Sequence, residues 1–379
     1  MVVPEQSLLL RLLCIGLSLW SLTAGAAVLP EDRADALYHR YEGGGVTIDG
    51  PSILVRKSIG ESFSVTGNYY VDSVSSASID VVTSASPYSE ERTEKSVSVD
   101  YLRNKTLMSL AYTDSDESDY AATTTSLSIS QDMFGDLTTV SLGYAFANDD
   151  VGKNTDPDFS ESTERQNYRL GLTQILTKNS LLGINWETIT DEGFLNNPYR
   201  SVRYLGGDGY LTEPEVYPRT RTSNALALRL RYYLPYRAAL SGEYRYFNDT
   251  WGIRAHNAEI GYTHPLQKDW VFDIKYRYYT QTAADFYSDL FAREGETNFR
   301  ARDKELSTFH SQTLGLAVSY AFAKGGWKFL DRGSLNLSYD YMRFDYDDFR
   351  DLSVSAPVGE EPLYSFDANV WKAYLSIWY

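Results

Sequence analysis

Cysteine is all but missing: the 379 residues hold one, Cys14, inside an N-terminal apolar run. The chain beyond that run therefore has neither a disulfide framework nor a thiolate metal site. Histidine is scarce too, with His39, His256, His264 and His310 the full set. That is a thin inventory for a hydrolase, which needs a nucleophile or an activated water with a base beside it. After the N-terminus no stretch approaches the ~18 consecutive apolar residues of a membrane-spanning helix. Positive charge is outweighed, 35 Lys and Arg against 51 Asp and Glu, for a net charge of −16. Such a surface repels nucleic acid, and that partner class is excluded.

The N-terminus reads as a secretory leader. Arg11 is a weak positive flank, Leu12 to Leu22 is apolar, and Ala24-Gly25-Ala26 offers a small-residue cleavage site. Cleavage after Ala26 leaves a cysteine-free chain of 353 residues. Mean hydropathy is −0.37, a soluble value, but barrels escape that test because only alternate residues face lipid. Tyrosine is abundant, 31 residues, as an interfacial aromatic girdle demands.

The dominant pattern is a period of two. Leu182, Ile184 and Trp186 alternate with Gly183, Asn185 and Glu187; Trp270, Phe272, Ile274, Tyr276 and Tyr278 alternate with Val271, Asp273, Lys275, Arg277 and Tyr279. Residues 61–72, 136–147 and 312–322 behave alike. The second face is mostly Ser, Thr, Gly, Ala and Asn, which suits a lumen, while the bulky face suits lipid.

Connectors alternate in size. Short ones are Gly60-Glu61, Arg103-Asn104-Lys105, Thr177 to Ser180, Leu234-Pro235-Tyr236 and His264 to Asp269; long ones are Asp72–Arg92, Asp149–Glu161, Asp191–Arg219, Gln281–Glu305 and Asp345–Phe366. These long segments, with residues 113–119, carry a summed charge of −20, more than the whole net charge. Tight periplasmic turns and long external loops are the habit of outer-membrane barrels. Fifteen strands are clear from Ser52 onward. Parity adds a sixteenth, Tyr38 to Ile48, turning at Asp49-Gly50-Pro51. The expected fold is all-β, a transmembrane antiparallel β-barrel of about 16 strands, with 14 as the alternative. The domain reading is 1–26 leader, 27–37 periplasmic segment and 38–379 barrel. Trp371, Ala373, Leu375, Ile377 and the terminal Tyr379 share one face, resembling the closing-strand signal of the outer-membrane assembly machinery.

Several segments resemble a proteobacterial outer-membrane protein family defined as a domain of unknown function. They are Arg33-Ala34-Asp35 through Tyr38, Tyr41-Glu42-Gly43-Gly44-Gly45, Asp49-Gly50-Pro51, Val55-Arg56-Lys57, Asn68-Tyr69-Tyr70-Val71-Asp72, Ser76 to Val81, and Phe194-Leu195-Asn196-Asn197-Pro198-Tyr199-Arg200. The resemblance implies an outer-membrane barrel. Its members are often encoded near a flavin transferase and a thioredoxin-like protein, which implies a periplasmic redox partner.

Chemistry concentrates in three places. Gly43-Gly44-Gly45 is read as structural, since no Lys-Ser/Thr follows it as in a phosphate loop. Asp114, Asp116, Glu117 and Asp119, and separately Asp149, Asp150, Asp156 and Asp158, form acidic loops where weak Ca²⁺ or Mg²⁺ association, bridging to lipid phosphates, is the functional reading. No other cofactor is expected. The sharpest constellation is Arg229, Arg231, Glu243, Arg245, Glu259, Asp273, Lys275 and Arg277, all on the inward phase of four consecutive strands. Facing lipid, each would cost about 2–4 kcal/mol at the midplane, so they line the lumen, as a selective constriction or a salt-bridged wall.

The expected function is a passive outer-membrane channel or transport protein for small solutes or ions, with lipid and lipopolysaccharide as partners. The rivals are a non-conducting scaffold for a periplasmic redox or maturation system and, least favoured, an outer-membrane hydrolase.

Overall fold

The alternation of bulky and small residues closes into a cylinder. The computed structural model describes residues 28–76, 88–207 and 209–379. The leader and residues 77–81 of the matching segment Ser76 to Val81 lie outside the described residues. The wall is built from β1 (Arg33–Gly43), β2 (Val46–Ile59), β3 (Phe63–Ser76), β4 (Tyr88–Arg103), β5 (Thr106–Asp116), β6 (Tyr120–Met133), β7 (Thr138–Val151), β8 (Glu161–Thr177) and β9 (Ser180–Gly193). A hairpin, β10 (Ser201–Gly206) with β11 (Gly209–Pro214), interrupts the series. The wall resumes with β12 (Thr220–Tyr233), β13 (Ala239–Asp249), β14 (Arg254–Leu266), β15 (Trp270–Gln281), β16 (Phe309–Phe322), β17 (Arg332–Arg350) and β18 (Leu363–Trp378). Sixteen strands pair in chain order, all antiparallel, and β1 pairs with β18 to leave no open edge.

Side-chain exposure follows the predicted phase. Leu226, Leu228, Leu230 and Tyr232 on β12, and Trp270, Phe272, Ile274, Tyr276 and Tyr278 on β15, are each about two-fifths exposed on the outer face. An aromatic belt marks the periplasmic edge, where Phe63 stacks on Tyr101 and Trp270 meets Tyr320, each pair 4.7 Å between centroids. A second belt, including Tyr144 against Tyr168, marks the external edge.

The first hairpin departs from expectation. The turn is at Gly44 and Gly45, with φ of +56° and +80°, and not at Asp49-Gly50-Pro51. A two-residue hairpin of this hand needs positive φ at both central positions, which two glycines supply without strain. The first strand therefore begins at Arg33, inside the segment expected to precede the barrel, and β2 runs through Asp49-Gly50-Pro51. Gly50 lies there against the Val71 carbonyl, where a Cβ would come within 1.8 Å, and Pro51 sits where the β2–β3 ladder skips two residues.

Two long connectors are also shorter than expected, because their flanking strands run further, and a third holds a hairpin of its own. β3 and β4 narrow the Asp72–Arg92 connector, β17 and β18 narrow Asp345–Phe366, and Asp191–Arg219 contains the β10–β11 hairpin. Residues 250–253 are a short external link, so the alternation of sizes is incomplete. His264 lies in β14, before the turn at 267–269, and its ring nitrogen is 2.8 Å from the Tyr262 hydroxyl.

Candidate functional site

All eight charged residues singled out on β12–β15 face the lumen, since each alternates with outward Leu, Ile, Tyr or Phe. Register sets four of them side by side: Arg229 opposite Glu243, Glu243 opposite Glu259, Glu259 opposite Arg277. Arg229 Nε donates to Glu243 over 2.5 Å. Arg245 reaches past β12 to Glu187 on β9 at 3.0 Å, and Lys275 reaches past β16 to Asp340 on β17 at 3.0 Å. Arg277 donates to Asn257, and Asp273 accepts from Thr263. Arg231 has no ion pair among the described residues and stands exposed near the periplasmic end. Glu187 and Asp340 were not in the expected set. They occupy the same inward phase on β9 and β17, so the alternation that located the others would have found them.

The external end of the lumen is bridged. The connection from β9 to β12 crosses it, and its Tyr199 and Arg200 bind loops half a circumference apart. Tyr199 donates to Asp119 in the β5–β6 link, while Arg200 pairs with Asp303 in the β15–β16 loop at 2.8 Å. Those two links are eight strands apart in either direction around the wall. The same connection anchors Arg203, 1% exposed, on Asp289 and on Glu361, the latter at 2.5 Å, tying in the β17–β18 loop as well. Arg302 joins at Asp289, 3.0 Å away, and lies over the Phe349 ring. Beneath these ion pairs Tyr217, Trp251, Ile253, Ala284, Ala301 and Leu306 form an apolar cluster. Glu215, buried here, accepts from Tyr217 Oη and the Arg302 amide, and burial pushes its carboxyl up from the ordinary range.

Under residues 194–199 the inner faces of β4 to β9 border a half-open cavity of about 340 Å³. Its wall includes Arg92, Arg165 and Arg169, and Glu94, Glu117, Asp119 and Asp149. Each arginine has a carboxylate partner: Arg92 with Glu94 at 2.6 Å, Arg165 with Asp191 at 2.5 Å, Arg169 with Glu187 at 3.1 Å. Glu117 and Asp119 also converge with Glu90, the three carboxylates lying within 4.8 Å of one another, close enough to hold a divalent cation. Burial first, then the neighbouring carboxylates, pushes Glu117 up to about 8, against the pull of Arg92. Burial raises Asp119 too.

The acidic clusters read from the sequence thus divide. Asp114 and Asp116 fall on the outer phase of β5, exposed, while Glu117 and Asp119 turn inward with Glu90 from β4. Asp149 is buried on the inner face and accepts from Tyr120, whereas Asp150 takes the opposite phase and Asp156 and Asp158 stay in the exposed loop. Glu90 was missed because it is distant in sequence and no spacing rule joins it to residue 117. The histidines do not assemble. His39 faces the lumen, its Nε2 2.7 Å from Asp72 and 3.1 Å from the Tyr70 hydroxyl; His256 bonds Tyr244; His310 lies 3.9 Å from both Asp345 and Asp347.

A family described as "Protein of unknown function (DUF3570)" matches residues 79–330. No curated protein matches the chain. Among solved structures, a bacterial polysaccharide outer membrane secretin is similar with a TM-score of 0.52 and 7% identity, over 92% of this chain and 99% of that one. The CymD monoaromatic hydrocarbon channel gives 0.44 and 10% identity over 93% and 89% of the two chains. The outer membrane protein opdK from Pseudomonas aeruginosa gives 0.44 and 8% over 91% and 98%. The secretin's likeness is one of barrel fold alone.

Proposed function

The chain belongs to the family of proteins of unknown function called DUF3570, and we propose that it is a passive, non-enzymatic outer-membrane channel for small solutes or ions, gated at its external mouth. The observation that carries this reading is the inner wall of β12–β15. Five cationic side chains and three carboxylates face the lumen there, where water and permeating ions can screen them. The crossing connection held by Tyr199, Arg200 and Arg203 is the gate.

The leader would carry the chain to the periplasm, and the closing strand, with Tyr379 donating to the Arg56 carbonyl, would present the terminal aromatic to the assembly machinery. Lipid and lipopolysaccharide would surround the aromatic belts. The bridged mouth also favours a second reading, a closed barrel that serves as a scaffold for a periplasmic redox partner.

Planar-bilayer recording of the purified barrel decides between them. Small, intermittent conductance in the native protein that becomes large and steady in Arg203→Ala supports the gated channel. No conductance in either protein, with both folded, removes it and leaves the scaffold.

A further inference from the structure

The link between β16 and β17, residues 323–331, is the longest at the periplasmic end, where the other six run from two to five residues. It is a small ordered hairpin. Trp327 and Leu330 exchange both backbone hydrogen bonds, at 2.8 and 3.0 Å, and the Gly326 amide donates to the Ala323 carbonyl at 2.9 Å. Lys328, at the tip, holds a φ of +57°, which a lysine keeps only where the surrounding turn enforces it. The hairpin also sorts its apolar residues. Leu330 is 9% exposed, whereas Trp327 and Phe329 are 63% and 73% exposed.

Position sets these two rings apart from the lipid-facing belt. β16 crosses the periplasmic belt at Tyr320, which meets Trp270, and runs two residues further to Phe322. At roughly 3 Å of chain per residue, the whole hairpin follows on the aqueous side of the belt. Rings left open there mark a contact surface. Their surroundings are cationic. Lys328 lies 5.3 Å from the Trp327 ring centroid and Lys268 stands on the neighbouring β14–β15 link; neither has an ion pair among the described residues. Lys324, paired with Asp269 at 2.9 Å, ties the two links together, its ammonium also donating to the Lys268 carbonyl. The seven periplasmic links sum to +2, the opposite sign from the −20 of the long external segments.

An occupant of this surface must offer apolar faces to the rings and carboxylates to the lysines, and it must lie beneath an outer membrane. A sugar ring presents C–H groups on one face, which the electron-rich face of an aromatic ring attracts. We propose that the 323–331 hairpin docks on peptidoglycan, with Trp327 and Phe329 against sugar faces and Lys328 and Lys268 on free carboxylates of the peptide stems. The contact is independent of conduction and of the bridged mouth.

Co-sedimentation of the full-length barrel, in neutral detergent, with purified peptidoglycan sacculi tests this. Saturable retention of the native protein supports the proposal when it weakens about tenfold on substituting Trp327→Ala with Phe329→Ala, and weakens again when the sacculus carboxyl groups are amidated. Equal retention of the native and doubly substituted proteins overturns it. Retention indifferent to amidation overturns it too, because the lysines then have no carboxylate partner. No retention of a native barrel that keeps its heat-modifiable electrophoretic mobility has the same effect. In nanodiscs of phosphatidylethanolamine brominated on its acyl chains, fluorescence quenching that disappears in Trp327→Phe would seat the ring in lipid, overturning the proposal in favour of a membrane anchor. The amidation comparison uses the native chain, so it holds even where the doubly substituted protein fails to fold.

Discussion

On β12–β15 five cationic side chains face three carboxylates, and the pairs shown there come from the next strand or the one beyond it, as with Arg229 and Glu243 or Lys275 and Asp340. On β4–β9, beneath the bridge, four carboxylates face three guanidinium groups, and the roof arrives from a connection outside those strands. The first wall is an ordinary product of sheet register: side chains on one face meet across neighbouring strands about 5 Å apart. The second is a tertiary product. It exists only because Tyr199 and Arg200, adjacent in sequence, bind loops on opposite sides of the mouth. One barrel therefore carries a positive wall set by strand register and a negative pocket that depends on loop packing, and the two should fail separately.

The largest expected effect is on the bridge. Arg203 is buried with Asp289 and Glu361, and removing one member of a buried ionic cluster leaves the others uncompensated, typically costing about 3–5 kcal/mol. Arg203→Ala should raise the rate of proteolytic cleavage within residues 194–219 and 282–308 on the order of a hundred- to a thousandfold, since cleavage tracks the open population. The sixteen-stranded wall should be untouched, with heat-modifiable mobility preserved. A barrel lost along with the bridge would show that the two regions are not separable.

The next effect tests the other wall alone. Arg229→Ala with Arg231→Ala removes two of the five cationic groups on β12–β15. In a salt gradient the reversal potential should move toward cation preference, with the bridge as resistant to protease as in the native protein. An unchanged reversal potential would make the charges on this wall structural.

The contrast also explains what could be read from residues alone. The strands from Phe63 onward, the lipid-facing phase and the eight lumenal charges all follow from a period of two, which is local information. The first hairpin was misplaced because two rival turn signals, Gly44-Gly45 and Asp49-Gly50-Pro51, lie within eight residues. Positive φ at both glycines decides it, and composition does not reveal φ. The acidic links showed their charge but not their partners. Strand phase splits Asp116 from Glu117, and only the folded β4 brings Glu90 beside them. The Phe194 to Arg200 segment could be marked as distinctive, yet its path across the mouth is set by contacts with residues 119, 154 and 303.

The smallest effect concerns the coupling between pocket and bridge. Glu117 faces Arg92 and Glu90 from β4, Asp72 from β3 and Asp119 of its own link, and burial raises its carboxyl to about 8. A folded value above the unfolded one means that the fold favours the protonated group. That stabilisation is fully present below the unfolded value and is lost as pH rises through about 8. Between pH 7 and pH 9 the loss amounts to about 1.4 kcal/mol, a tenfold change in the open population. Cleavage of residues 194–219 in the native chain should therefore rise about tenfold more over that interval than in Glu117→Gln, which has no proton to lose. Parallel pH profiles for the two proteins would mean that Glu117 is already ionised at pH 7, and that the pocket bears its full negative charge there.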